Sequence, residues 1–218
     1  MPAFATIDIS NLLLASTSLF TGYRDNLEIA AALAPFGYDK TTAEDGLALI
    51  AQVRDAIKTQ SAEEIEKVTA SKASFTATAE ARAAYAIHRQ RAARAHPRGT
   101  AGYSALDLNG RVSDAEVPML AESRHFHEAL QTTPALLTDI RGLTPDMVAD
   151  ALALVTAAET AEGDQTRETG ESERASALAA TLVARLSALA TRTAKDARDA
   201  LRDKPQLREV LGLKERGN

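Results

Sequence analysis

Gly37-Tyr38-Asp39-Lys40-Thr41-Thr42-Ala43-Glu44-Asp45-Gly46-Leu47-Ala48-Leu49-Ile50 aligns without a gap on Gly142-Leu143-Thr144-Pro145-Asp146-Met147-Val148-Ala149-Asp150-Ala151-Leu152-Ala153-Leu154-Val155, 105 residues further along. At the same offset Gln60 meets Gln165, Glu66 meets Glu171, Ser71 meets Ser176, and Ala79 and Ala83 meet Ala184 and Ala188. Each stretch is a glycine followed by helix-start chemistry and then an apolar period. The shared positions are those of packing and capping rather than of reagents. Two duplicated helical halves account for the echo, and they predict an all-α fold: an elongated antiparallel bundle.

Outward from the first copy, a helix is expected over Ser18–Ala34, stopped by Pro35 and Gly37. Residues 1–16 read as an irregular arm with a short extended stretch at Ala5–Ile9. Thr41 or Thr42 is placed to cap the next helix, with Glu44 and Asp45 against its dipole. The pattern stays helical from Thr42 almost to Pro97. Leu47, Ile50 and Ile57 open an apolar face, which Ile65, Val68, Lys72, Phe75, Ala79, Ala83 and Ala86 resume at spacings of three and four. Ser61-Ala62-Glu63-Glu64 matches a capping box and argues for a new helix. The lack of Gly or Pro between Leu47 and His96 argues for one long helix.

After the break at His96–Gly102, a helix is expected over Val117–Leu137, capped by Ser113 or Asp114. Thr144 and Pro145 then start the second long segment. Its stretch from Thr156 to Ala177 contains no large apolar residue, and reads as a helix in water or a hinge. Leu178, Leu182, Leu186 and Leu189 restore the apolar face, and a short helix over Gln206–Leu211 closes at Gly212. The expected organisation is an arm at 1–16, a first half at 17–98, a linker at 99–112 and a second half at 113–213, packed as one bundle.

Composition supports this. The chain has 218 residues, 45% hydrophobic and only 4% aromatic, with no cysteine and a formal charge of −5. Ala and Leu lead the helix-propensity scale. The missing cysteines remove disulfides, thiol nucleophiles and Cys-based metal sites. The N-terminus lacks the basic region of a signal peptide, and no run approaches the roughly 18 apolar residues of a membrane span. A cytoplasmic protein is expected.

Three groups of residues carry candidate chemistry. Glu122 and His125 have the spacing of a carboxylate–imidazole metal pair, but di-iron bundles need two such pairs and two more glutamates. Arg82, Arg89, Arg91, Arg94 and Arg98 lie in a stretch without an acidic residue between Glu80 and Asp107. They form a candidate anion patch for nucleic acid or an anionic surface, although cations near a helix C-terminus have an ordinary role against the dipole. Glu159, Glu162, Asp164, Glu168, Glu171 and Glu173, with Glu63, Glu64 and Glu66 in the first half, form candidate acidic interaction segments or plain solvated faces. The four tyrosines read as packing anchors. No phosphate-cradling loop or nucleophile elbow is present in the sequence, so no cofactor is expected.

Tyr103 after a basic, Gly-containing linker, the start at Gly142–Ala151, and the ending Asp203-Lys204-Pro205-Gln206-Leu207-Arg208-Glu209-Val210-Leu211-Gly212-Leu213 resemble a group of all-helical bacterial proteins. That group is found notably among Bacteroidetes and their relatives and carries no established activity. The likeness spans about residues 20–213; it implies the helical architecture and supplies no functional residue. The expected function is therefore non-enzymatic: protein contact as a homo-oligomer or as part of an assembly. A small-ligand or metal-binding bundle and an anionic-surface adaptor are the alternatives.

Overall fold

The computed structural model describes residues 8–213, and every regular element among them is helical. In chain order these are α1 (Ile9–Asp25), α2 (Leu27–Leu33), α3 (Lys40–Ala95), α4 (Ala101–Ala105), α5 (Glu116–Thr132), α6 (Pro134–Thr138), α7 (Pro145–Ala200) and α8 (Pro205–Val210), with a 3-10 turn at Ala34–Phe36. Helix is already present from Ile9, so the irregular arm expected to residue 16 is corrected. Residues 1–7, with most of the extended stretch expected at Ala5–Ile9, lie outside the described residues.

Asn26 divides the single helix expected over Ser18–Ala34. Its extended backbone ends α1, and its side-chain oxygen accepts from the Glu28 and Ile29 amides at 3.0 and 3.2 Å, which caps α2. At the start of α3 the cap is Asp39 rather than Thr41 or Thr42. Its carboxylate accepts from the Thr42 amide at 2.9 Å and from both threonine hydroxyls. An ionised acceptor at the positive end of the helix dipole outcompetes a hydroxyl. Thr144 caps α7 as expected, accepting from the Met147 amide at 3.3 Å. The capping-box reading at Ser61 gives way to a continuous helix, in which the Ser61 hydroxyl donates back to the Ile57 carbonyl. Likewise α7 runs unbroken through Gly163 and Gly170.

The long helices are both 56 residues, and their first and last residues are 105 apart. Each is preceded by a left-handed glycine at the same offset, Gly37 (φ 83°) and Gly142 (φ 77°), where a Cβ is disfavoured. Beyond the long helices, Leu108 N–H donates to Tyr103 O at 3.1 Å and Leu213 N–H donates to Arg208 O at 2.9 Å, again 105 apart. The left-handed residue closing each of these turns is Asp107 or Gly212. Helices α1 and α5 are both 17 residues, offset by 107; the first half holds two more residues before its glycine, in the stretch that includes the 3-10 turn.

The chain folds into two compact units, Met1–Glu63 with Ser172–Asn218, and Glu64–Glu171. These are not the halves at 17–98 and 113–213, because α3 and α7 each contribute one part to either unit. In the first unit, Leu12, Leu19, Phe20, Tyr23, Ile29 and Leu33 of α1 and α2 pack with Ile50 and Val53 of α3 and with Leu186, Ala190 and Ala194 of α7. Tyr38 to Asp196 and Gln60 to Ser176 are hydrogen bonded, so α3 and α7 run antiparallel there. In the second unit, Met119, Leu120, Phe126 and Leu130 of α5 pack with Ala81, Tyr85 and Ala92 of α3 and with Val148, Val155 and Ala158 of α7.

Candidate functional site

The face that periodicity assigns to the core between Ile65 and Ala86 is open. Ile65 is 69% exposed, Val68 43% and Phe75 72%, and Lys72, Ala79, Ala83 and Ala86 are exposed as well. The buried positions of the same stretch are Ser74, Thr78, Ala81 and Tyr85. At 3.6 residues per turn the two sets lie on different faces of α3. The core needs only small side chains here: Ser74 and Thr78 are nearly fully buried, and Ala81 allows close approach. The open face alternates three- and four-residue steps (65, 68, 72, 75, 79), which is the spacing of a seam that receives a second helix.

Glu122 and His125 do not come together as a metal pair. His125 is exposed, and a Glu122 carboxylate oxygen accepts from the Ser113 amide at 3.2 Å. The loop ahead of α5 is tied down by this bond and by two arginines of the basic stretch. Arg82 donates to the Ser113 and Asp114 carbonyls at 3.1 Å, and Arg89 to Gly110 O at 3.0 Å and to the Tyr85 hydroxyl at 2.9 Å. Arg91 donates to Gly142 O, and Arg98 to the Tyr103 hydroxyl. Of the candidate anion patch, Arg94 alone makes no such bond among the described residues; Arg82, Arg89 and Arg91 stitch loops to α3, and Arg98 joins the loop after α3 to α4.

The acidic residues of α7 divide in two. Glu159 is clamped by Arg124 of α5, with Nε to Oε1 at 3.0 Å, and Arg167 sits between Asp164 and Glu168 at 3.3 and 2.9 Å. Glu171 and Glu173 are exposed, and Glu162 is half-buried.

One buried polar cluster escaped the sequence reading. His88 of α3 and His127 of α5 face each other, with Nδ1 of the first 3.0 Å from Nε2 of the second. The Ser123 carbonyl, 2.7 Å from His127 Nδ1, can only accept, so that nitrogen carries the proton. His127 Nε2 is then the acceptor and His88 Nδ1 the donor. Tyr85 and Phe126 enclose His127 edge-on. Burial pushes His127 down to about 4, and the neighbouring His88 adds to this against the Ser123 hydrogen bond. His88 is also lowered, first by burial and then by the Arg91 charge. The pair is neutral near pH 7 and behaves as a satisfied core contact. Its sequence signal was faint: His88 continues the buried spacing of Ala81 and Tyr85, and His127 follows Ser123 by one helical turn.

No helix among the described residues is long and apolar enough to cross a membrane. No family model, curated protein or solved structure matches the chain.

Proposed function

We propose that this chain is an internally duplicated, non-enzymatic helical protein that acts through protein contact, and that a second copy packs on the open seam of α3. The observation that carries this reading is the exposure of Ile65, Val68 and Phe75 at seam spacing along one uninterrupted helix. Two copies laid antiparallel, with the two-fold level with Ala70, set Ile65 of one against Phe75 of the other and lay the Lys72 stem across Val68. Such a contact is isologous, so each residue is buried twice. Burying Val, Ile or Phe gains about 1.5–3 kcal/mol per side chain. Association itself costs roughly 4–15 kcal/mol. The balance favours a reversible dimer over a permanent one.

The duplication is supported by the matched lengths of α3 and α7, by Gly37 with Gly142, and by the turns that end at Leu108 and Leu213. The anion-adaptor alternative loses ground because Arg82, Arg89, Arg91 and Arg98 are engaged by the protein's own oxygens.

Light scattering across protein concentration and at two salt concentrations tests the proposal. The expected result is a mass rising from one chain to two, little changed by salt, with Phe75→Glu held at one chain and its helix content intact. A wild-type chain that stays monomeric at every concentration overturns self-association.

A further inference from the structure

The first unit carries a second feature, unrelated to the α3 seam. A groove of about 1220 Å³ runs along α7 from Ser176 to Asp196. Its walls are Ile9 and Leu12 of α1, Phe36, Ile57 of α3, and Ala179, Val183 and Ala184 of α7. One end is neutral and closed on itself: Gln60 donates to the Ser176 hydroxyl at 3.3 Å. The other end carries Arg192, Lys195 and Asp196. An Asp196 oxygen accepts from the Tyr38 hydroxyl at 2.7 Å, whereas neither Arg192 nor Lys195 forms an ion pair with a carboxylate among the described residues. The charged end therefore keeps one net positive charge.

The rise of an α-helix places Ala180 and Arg192 about 18 Å apart along this wall. An extended alkyl chain fits that run. Ligand clefts usually hold about 300–1,000 Å³, so the space suits a long ligand rather than a compact one. On this wall α7 presents the small residues Ala180, Ala184 and Ser187. At the positions 105 residues earlier on α3, Ala180, Ser187 and Arg192 are replaced by Phe75, Arg82 and Ile87. Arg82 in particular reaches across to the Ser113 and Asp114 carbonyls. In the second unit Arg82 and the loop it holds occupy the place that Ser187 leaves open, whereas Phe75 and Ile87 stay exposed.

We infer that this groove binds a free long-chain monocarboxylate, a fatty acid, with its alkyl chain along Val183, Leu12, Ile9 and Phe36 and its carboxylate between Arg192 and Lys195. A single anionic head matches the single net positive charge at that end. A guanidinium favours a carboxylate by charge-assisted, often paired hydrogen bonds. The apolar walls have no counterpart in a ligand that is charged along its length.

The test is calorimetric titration of the full chain with palmitate, below the concentration at which palmitate aggregates. Saturable binding of one palmitate per chain is expected. The double variant Arg192→Ala with Lys195→Ala should weaken it roughly tenfold, the worth of one charge-assisted head-group contact. The uncharged alcohol of the same chain length should bind weaker by a similar factor. Ala184→Trp, at an exposed position on the wall, should abolish binding without changing the thermal midpoint. The inference is overturned by the absence of saturable binding, or by binding that Ala184→Trp leaves unchanged. Binding to anionic vesicles without binding of free palmitate also overturns it. Those results would give the groove to a peptide segment or to a membrane surface.

Discussion

Helices α3 and α7 are equal in length, start after equivalent left-handed glycines and are each followed by a short helix closed by a matching turn, yet their outer faces share little. Where α3 shows Ile65, Val68, Lys72 and Phe75, α7 has Gly170, Glu173, Ala177 and Ala180. Where α3 directs Arg82 onto a loop, α7 has Ser187 beside an open groove. The same contrast extends to the short helices. Ser16 and Ser123, one on α1 and one on α5, are both fully buried 107 residues apart, but four residues on, Phe20 stands where His127 stands. Positions that hold the helices together agree, and those that face outward, or fill the centre of each unit, diverge.

The largest consequence follows from the histidine pair, which the first unit lacks. His127 is held near 4 in the folded chain, against about 6.5 for an exposed histidine. Between those values the unfolded chain binds more protons, so stability is complete above about pH 6.5 and is lost as the pH falls towards 4. The loss attributable to His127 is on the order of 3 kcal/mol. Urea unfolding at pH 7 and pH 4.5 should show it, and His127→Leu should flatten the dependence. The accompanying contrast is local: hydrogen exchange corrected for intrinsic rate should speed up in α5 on acidification, with α1 unchanged.

Phe20 makes the converse demand. A Cβ at Gly46 would lie 2.5 Å from the Phe20 ring, whereas the corresponding position on α7 is already Ala151. Gly46→Ala should therefore destabilise by about 1–3 kcal/mol despite its better helix propensity. Phe20→Leu in the same chain should recover part of that loss. If Gly46→Ala is neutral, the two cores are more alike than their side chains imply.

A smaller effect separates the ion pairs. Arg124 with Glu159 joins α5 to α7, whereas the matching position on α3, 105 residues before Glu159, is Arg54, which donates to the Thr17 hydroxyl of α1 at 3.4 Å. Arg124→Ala should cost roughly 0.5–1 kcal/mol, because the pair is half exposed and screened. Double-mutant cycles with Glu159→Gln would measure the coupling directly.

Much of the helical plan was legible because it is local. Gly37, Gly142 and Gly212 announce their turns through left-handed backbone conformations that few other residues adopt, and Pro145 marks a helix start by its fixed φ and missing N–H. Asn26 was missed as a break because an asparagine inside an apolar period looks tolerable until its side chain is seen capping the next helix. The seam on α3 was read at the right positions with the wrong destination. Spacings of three and four show that a face is apolar without saying what covers it. Here Ser74, Thr78 and Ala81, less conspicuous in sequence, supply the packing. The His88–His127 contact joins residues 39 apart on different helices, and no local pattern encodes that. The arginines were legible as a cluster, but their carbonyl partners in the loop before α5 were not.

The most direct test uses the absence of cysteine. A chain carrying Ser71→Cys has a single thiol on the half-buried flank of the open α3 seam, beside Lys72; a second chain carrying Glu173→Cys has one at the α7 position that corresponds to Val68. Treated with a short bismaleimide at equal concentration, the Ser71→Cys chain should give a covalent dimer rapidly and Glu173→Cys should give little. Phe75→Glu in the first chain should suppress the product. Equal, slow cross-linking of both chains would contradict the proposal that the α3 seam brings two copies together.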